Sequence, residues 1–389
     1  MIVGVPIESS PHEQRVALVP AVVPMLTKTG LTVLVEQGAG ESAGFSDAAY
    51  EEQGARLVPN RAELFSSADI IAQVHSLESS PNQNAGLKLL RSGQVVVGLL
   101  NAFGAPEAVR NLAEKGATSF ALELLPRISR AQPMDALTSM ATIAGYKAVL
   151  LAAGLHKRMF PMMITAAGTI TPARVFVVGA GVAGLQAIAT ARRLGAVVES
   201  YDVRPAVKEQ VESLGAKFLE LQLDTKEAET SGGYAKALGE EFYRRQREMM
   251  KRVVAECDVV ITTAAIPGKK APILITQDMV QEMQPGSVII DLAAETGGNC
   301  ELTRLGETVE TRGVTIIGPV NLPSTIPYHA SMLYARNITA FLQNLVKDGT
   351  LNVNLEDPII RDTLLTRNGD ILNPTIRESL GLPALAVVR

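Results

Sequence analysis

Two groups of residues in this chain have the types and spacing to do chemistry. The first is Gly179, Gly181 and Gly184 in VFVVGAGVAGLQAIATARRLG, with Asp202 closing the next β-branched run, VVESYD. A glycine triplet between a strand and an Ala-rich helix makes a tight turn, lets the backbone approach a pyrophosphate and seats the helix close on the strand. The helix start then offers unpaired N–H groups and a positive dipole end to phosphate. A carboxylate after the following strand can accept hydrogen bonds from an adenosine ribose. Asp202 therefore favours NAD over NADP, whose 2'-phosphate would meet a negative charge. Arg204, two positions on, could neutralise such a phosphate, stack on adenine or stay solvated. The second group is LELLPRISRAQPMD, which sets Arg127, Arg130, Gln132 and Asp135 after a strand-like run. No histidine or cysteine stands nearby to do acid–base or nucleophilic work, and a plain charged loop would read the same.

Hydride transfer from an alcohol or amine also moves a proton, so it needs a general acid or base beside the reacting carbon. The four histidines, His12, His75, His156 and His329, lie in no motif that marks one as catalytic. No metal is expected. Cys257 and Cys300 form neither a CxxC pair nor a disulfide framework, which fits a reducing compartment. A net charge of -4 without a long run of Lys or Arg argues against nucleic acid, as does an aromatic content of 4% with no Trp.

The elements that must position these groups read as α/β. With 389 residues, 47% of them hydrophobic and 20% charged, the chain is globular and long enough for two domains. In the first third, IVGVPI, LTVLVEQ, DIIAQV, QVVVGLL and SFALELL are strand candidates, with helical stretches such as AVVPMLTKTG and DAAYEEQGA between them. A long helical pattern, MDALTSMATIAGYKAVLLAAGLH, then bridges to a second series: RVFVVG, VVESYD, KFLELQ, DVVITTA, SVIIDL and VTIIGP. Six strands around a glycine fingerprint suggest a doubly wound nucleotide-binding domain. The C-terminal part has a helix, ASMLYARNITAFLQNLV, but too few strands for a domain of its own and is expected to return to the first. The expected fold is two doubly wound parallel-sheet (Rossmann-like) domains joined by long helices, with residues 1–137 plus 325–389 in one and 138–324 in the other. MIVGVPIESS reads as a first strand rather than a signal peptide. The charge-free run Gly313–Ala335 contains Pro319, Pro323 and Pro327, so no transmembrane helix is expected.

From MIVGVPIESSPHEQRVALVP through GAGVAG to PGSVIIDLAAETGGNC, the chain resembles the family of alanine dehydrogenase and the NAD(H)-binding domain of proton-translocating nicotinamide nucleotide transhydrogenase. LPRISRAQPMD resembles the transhydrogenase RQD signature, and GGYAKALGEEFYRRQREMM resembles its mobile loop and following helix. The resemblance sets His75 and Asn101 where the alanine dehydrogenase branch carries a catalytic Lys and His, and Arg15 where that branch holds its substrate carboxylate. It implies that Arg127, Gln132 and Asp135 orient the dihydronicotinamide, with Thr138 where the family has Ser. Ile128 and Ser129 join the cofactor contacts, as do Val182, Asp202, Val203, Arg204, Gly233, Tyr234, Ala235 and Thr263. Hydride then passes between two nicotinamides with no proton carried by a side chain. NAD(H) would be bound by this chain and NADP(H) by a partner chain. Membrane-spanning proton-channel subunits are further partners, so the implied location is cytoplasmic, on the inner face of the cell membrane, in a homodimer. The rival readings are an alanine dehydrogenase-like amino-acid oxidoreductase and a non-catalytic NAD-binding module. FYRRQREMMKR reads as a solvated basic face, with Glu240 and Glu241 spaced to pair with Arg244 and Arg245.

Overall fold

Runs of Val, Ile and Leu that alternate with helices form two sheets with the same parallel strand order. The computed structural model describes residues 1–75, 85–220, 240–265 and 268–384, which divide into two units, 1–140 with 323–389 and 141–322. In the first unit β1 (Ile2–Val5), β2 (Thr32–Glu36), β3 (Arg56–Val58), β4 (Ile70–His75), β5 (Val95–Leu99) and β6 (Thr118–Ala121) run parallel in the order β3-β2-β1-β4-β5-β6. Beyond β6 the C-terminal strands Leu364–Arg367 and Asp370–Ile371 continue the sheet antiparallel. At that seam the buried Ser119 and Thr366 hydroxyls are 2.7 Å apart and share a hydrogen bond. The C-terminal segment thus returns to the first unit, but it makes the sheet mixed rather than wholly parallel.

The second unit opens on a hairpin, β7 (Met163–Thr165) and β8 (Gly168–Ile170). Its sheet comprises β9 (Arg174–Val178), β10 (Val197–Tyr201), β11 (Lys217–Phe218), β12 (Val259–Thr262), β13 (Val288–Asp291), β14 (Thr308–Thr311) and β15 (Val314–Ile317), in the order β11-β10-β9-β12-β13-β15-β14. Only β14 runs antiparallel, at the edge, and its polar TVET reads as loop in the sequence. Successive side chains of a strand face opposite ways. Val175, Val177, Val259 and Ile261 accordingly enter one core with Ala187 and Ile188, while Phe176, Val178 and Val260 enter another with Met250 and Val254. Burial on both faces is why these strands read as continuous apolar runs.

The helix Ala136–Leu155 carries the chain from the first unit into the second, and its Ala148, Val149 and Ala152 lie in the second unit's core. It is long and apolar enough to cross a membrane by composition, although Gly313–Ala335 was the run the sequence drew attention to. That run instead divides between β15 and the helix Pro327–Leu345. The basic helix Glu240–Glu256 buries Gln246, Met250 and Val254 and turns Arg244, Arg245 and Arg247 to solvent. Arg244 pairs with Glu248 at 2.6 Å; the side chains of Glu240 and Glu241 lie outside the described residues.

Candidate functional site

The glycine turn after β9 has three positions with three different constraints. Gly179 has φ +99, and a Cβ there would approach Thr263 Oγ1 to 2.5 Å. At Gly184, on the first turn of the helix Val182–Arg193, a Cβ would collide with the Gly179 carbonyl oxygen. Those two glycines are required by the fold itself. A Cβ on Gly181 would meet nothing within 4 Å. Gly181 is also the helix N-cap, with no side chain capping the first N–H groups, and the adjacent Val182 is 40% exposed. The open space above Gly181 and the uncapped helix start fit a pyrophosphate.

Asp202 follows β10 and is committed on both oxygens. Its Oδ2 accepts the Ala180 N–H at 2.8 Å, which ties the strand end to the glycine turn. Arg204 folds back onto the same carboxylate: its backbone N–H and Nε donate to Oδ1 at 2.9 Å each, and Nη2 donates to Oδ2 at 2.8 Å. Of the roles open to Arg204 in the sequence, none was this one. Each Asp202 oxygen already accepts two hydrogen bonds, so ribose hydroxyls reach it as the Arg204 fork gives way. Val203 between them is half-buried. Thr263, at the end of β12, donates to the Gly179 carbonyl at 3.1 Å and so locks β12 to the turn. Gly233, Tyr234 and Ala235 lie outside the described residues.

In the first unit, LPRISRAQPMD becomes a short 3-10 stretch, Ser129–Met134, between β6 and the helix Ala136–Leu155. Ala131 and Met134 are buried while Arg127, Ile128, Ser129 and Gln132 are exposed. The stretch is held from behind at two points. Arg130 forms a two-pronged ion pair with Asp357, the N-cap of the helix Pro358–Thr363, and also donates to Asn344 Oδ1 at 3.2 Å. Hydrogen bonding from Arg130 holds the Asp357 carboxyl down at about 2. Asn337 Nδ2 donates to the Pro133 carbonyl at 2.8 Å. Arg130 is therefore a fastening, whereas the Gln132 amide makes no hydrogen bond among the described residues. Asp135 accepts the Thr138 N–H at 2.9 Å and the Thr138 hydroxyl at 2.6 Å, capping the helix start. The extra methyl of Thr138 leaves that hydroxyl bond intact. No local spacing could have revealed Asp357, Asn344 or Asn337 as supports, because each is more than two hundred positions away.

Arg15, also in the first unit, is closed in. Its Nε and Nη2 clasp the Glu13 carboxylate at 2.8 and 2.6 Å, Nη1 donates to Met140 Sδ at 3.0 Å, and Nη2 lies 3.0 Å from His75 Nε2. Burial raises the Glu13 carboxyl, but the Arg15 hydrogen bonds and charge outweigh it and hold the group at about 2. Burial and the Arg15 charge push His75 down to about 4, leaving it neutral at pH 7. Glu8 accepts the Val74 and His75 N–H groups at 2.7 and 3.1 Å, and burial pushes its carboxyl up to about 8. An incoming carboxylate would have to displace Glu13 from Arg15, leaving a buried carboxylate without its cation. Asn101 is exposed and left-handed, with φ +49.

Comparison with known proteins places these features in a wider set. Residues 4–144 match the alanine dehydrogenase/PNT N-terminal domain and residues 148–374 the alanine dehydrogenase/PNT C-terminal domain. The first portion of NAD(P) transhydrogenase subunit alpha from Rhodospirillum rubrum, a separate chain there, is 48% identical over 97% of this chain and 99% of its own length. A crystal structure of transhydrogenase from Sinorhizobium meliloti superposes with a TM-score of 0.85 at 44% identity, covering 95% of this chain and all of that one. Alanine dehydrogenase of Bacillus subtilis is more distant, 29% identical over 98% of this chain and 95% of its own.

Proposed function

The chain belongs to the alanine dehydrogenase/PNT family, and from that premise we propose that it is the NAD(H)-binding component of a proton-translocating transhydrogenase, acting with a partner subunit that holds NADP(H). The observation that carries this reading is the outward turn of LPRISRAQPMD, fastened through Arg130 and Pro133 and presenting a guanidinium, an amide and a carboxylate. When bound, the dihydronicotinamide supplies a hydride from its C4 to C4 of the acceptor nicotinamide, an exchange that balances without a side chain carrying a proton. The chain's own task is orientation. Arg127, Gln132, Asp135 and Thr138 are assigned to the nicotinamide, with Ile128 and Ser129 beside them. Gly179, Gly181, Val182 and Gly184 are assigned to the pyrophosphate, and Asp202, Val203 and Arg204 to the adenosine ribose. Thr263, Gly233, Tyr234 and Ala235 complete the NAD(H) contacts.

The saturated Arg15 speaks against the alanine dehydrogenase reading, because its guanidinium is already taken by Glu13. Fluorescence titration of the isolated chain should show NADH binding at least about 10-fold tighter than NADPH, a difference of about 1.4 kcal/mol. The same preparation, given L-alanine and NAD+, should form no pyruvate. Equal affinities would remove the assignment of Asp202, and steady pyruvate formation would overturn the branch.

The proposed assembly places the chain on the cytoplasmic side of the membrane through membrane-spanning proton-channel subunits, and pairs it with a second copy of itself. The β7–β8 hairpin supports that pairing. Met162, Met163, Ile164 and Ile170 are all exposed, Ile164 to 76%, and a lone two-stranded hairpin is barely stable in water. Ile164→Asp should convert the protein to a monomer by light scattering; an unchanged mass would reject the hairpin as the contact.

A further inference from the structure

Asp291, at the end of β13, is wholly buried and gathers five hydrogen bonds. Oδ1 accepts the Thr262 hydroxyl at 2.8 Å and the Ala293 N–H at 3.1 Å. Oδ2 accepts the N–H groups of Asn299 and Cys300 at 2.7 and 3.0 Å and the Thr303 hydroxyl at 2.7 Å. The chain reaches back to the carboxylate through Gly297 and Gly298, with φ +105 and +80, a turn that side-chain-bearing residues rarely adopt. The result is to fix Asn299, itself 0% exposed. Its Oδ1 accepts the Ala264 N–H at 2.9 Å, and its Nδ2 donates to the carbonyls of Ala264 and Pro272 at 2.8 and 2.9 Å. One amide therefore brackets both ends of the loop that follows β12. Thr263, one residue before Ala264, holds the Gly179 carbonyl, so the network runs from Asp291 to the glycine turn.

Strand order assigns this loop to one half of a dinucleotide. The turn after β9 stands where the order reverses, with β10 and Asp202 on one side and β12 and β13 on the other. A dinucleotide with its adenosine ribose at Asp202 and its pyrophosphate on the glycine turn lays its other half over the ends of β12 and β13. We propose that Asn299 is a positioning residue for the nicotinamide half of NAD(H), acting by fixing the Thr263–Ala264 backbone; this rests on the NAD(H)-binding reading above. The amide is suited to the task because it serves both the N–H and the C=O of Ala264. A carboxylate of the same shape keeps the first bond but faces two carbonyl oxygens with no proton to offer.

The test is isothermal titration of the full chain with NADH and with AMP, which samples the Asp202 side alone. Asn299→Asp should weaken NADH about 10-fold, the scale of one or two lost hydrogen bonds, with AMP affinity changed by less than about 2-fold. Unchanged NADH affinity would overturn the proposal, as would equal weakening of AMP, which would mean a general loosening of the crevice. Should Asn299→Asp fail to melt cooperatively, Asn299→Ser, whose hydroxyl can still donate one bond, gives the same ratio and the same decision. Failure of the unmodified chain to bind NADH would instead reject the NAD(H) reading on which the proposal stands.

Discussion

Gln132→Asn is expected to slow hydride transfer from NADH about 100-fold, the cost that a misplacement of about 1 Å can carry, while leaving NADH affinity nearly unchanged. The backbone at this position has little freedom to follow a shorter side chain. Ala131 and Met134 are buried on either side, the Pro133 carbonyl is bound by Asn337, and Arg130 is tied to Asp357. Losing one methylene therefore withdraws the amide instead of shifting the turn. Affinity should persist because the adenosine and pyrophosphate contacts proposed for the second unit are untouched. Stopped-flow mixing of the variant with the NADP(H)-binding subunit gives the rate, and a separate titration gives the NADH affinity. An undiminished rate would make the exposed amide incidental; a large loss of binding would make it an affinity residue.

Gly181→Ala should separate binding from folding more sharply than any other substitution in the fingerprint. A methyl there meets no protein atom within 4 Å, and the φ of −78° and ψ of −169° suit alanine. The folding free energy should change by no more than about 0.5 kcal/mol, as for other uncrowded sites. NADH affinity should nevertheless fall on the order of 100-fold, about 2.7 kcal/mol, because the methyl occupies the space through which a pyrophosphate approaches the backbone. Gly184→Ala provides the contrast, since its methyl collides with the Gly179 carbonyl and must destabilise the unit itself. Chemical denaturation and NADH titration of both variants measure the two quantities. Full NADH binding by Gly181→Ala would remove the pyrophosphate from the glycine turn.

Much of this site was legible because its signals are local. The glycine triplet, the β-branched runs and Asp202 are separated by one turn of structure at most, and periodicity alone orders the strands that carry them. Partners distant in sequence left no such mark. Arg130 and Asp357 meet only because the helix Pro358–Thr363 packs in the first unit, and the DLAAETGGNC segment gave no hint that Asn299 would reach Ala264 and Pro272. The antiparallel edges were also hidden. Thr308–Thr311 is polar at an exposed edge, and Leu364–Arg367 lies far from the β6 strand it joins. Arg204 was visible, but its folding back onto Asp202 depends on side-chain rotamers that spacing does not encode.

The first unit is written in two pieces, 1–140 and 323–389, with the whole of the second unit between them. During synthesis the β6 strand emerges long before Leu364–Arg367, which later pairs along its free side. At a ribosomal rate of about 5–20 residues per second, that edge stays unpaired for roughly 10–50 s. The uninterrupted second unit can finish in that interval, while the first must wait with open backbone donors and acceptors of the kind that recruit other chains. Nascent first units are therefore the stage at which this protein is most exposed to aggregation and most dependent on chaperones.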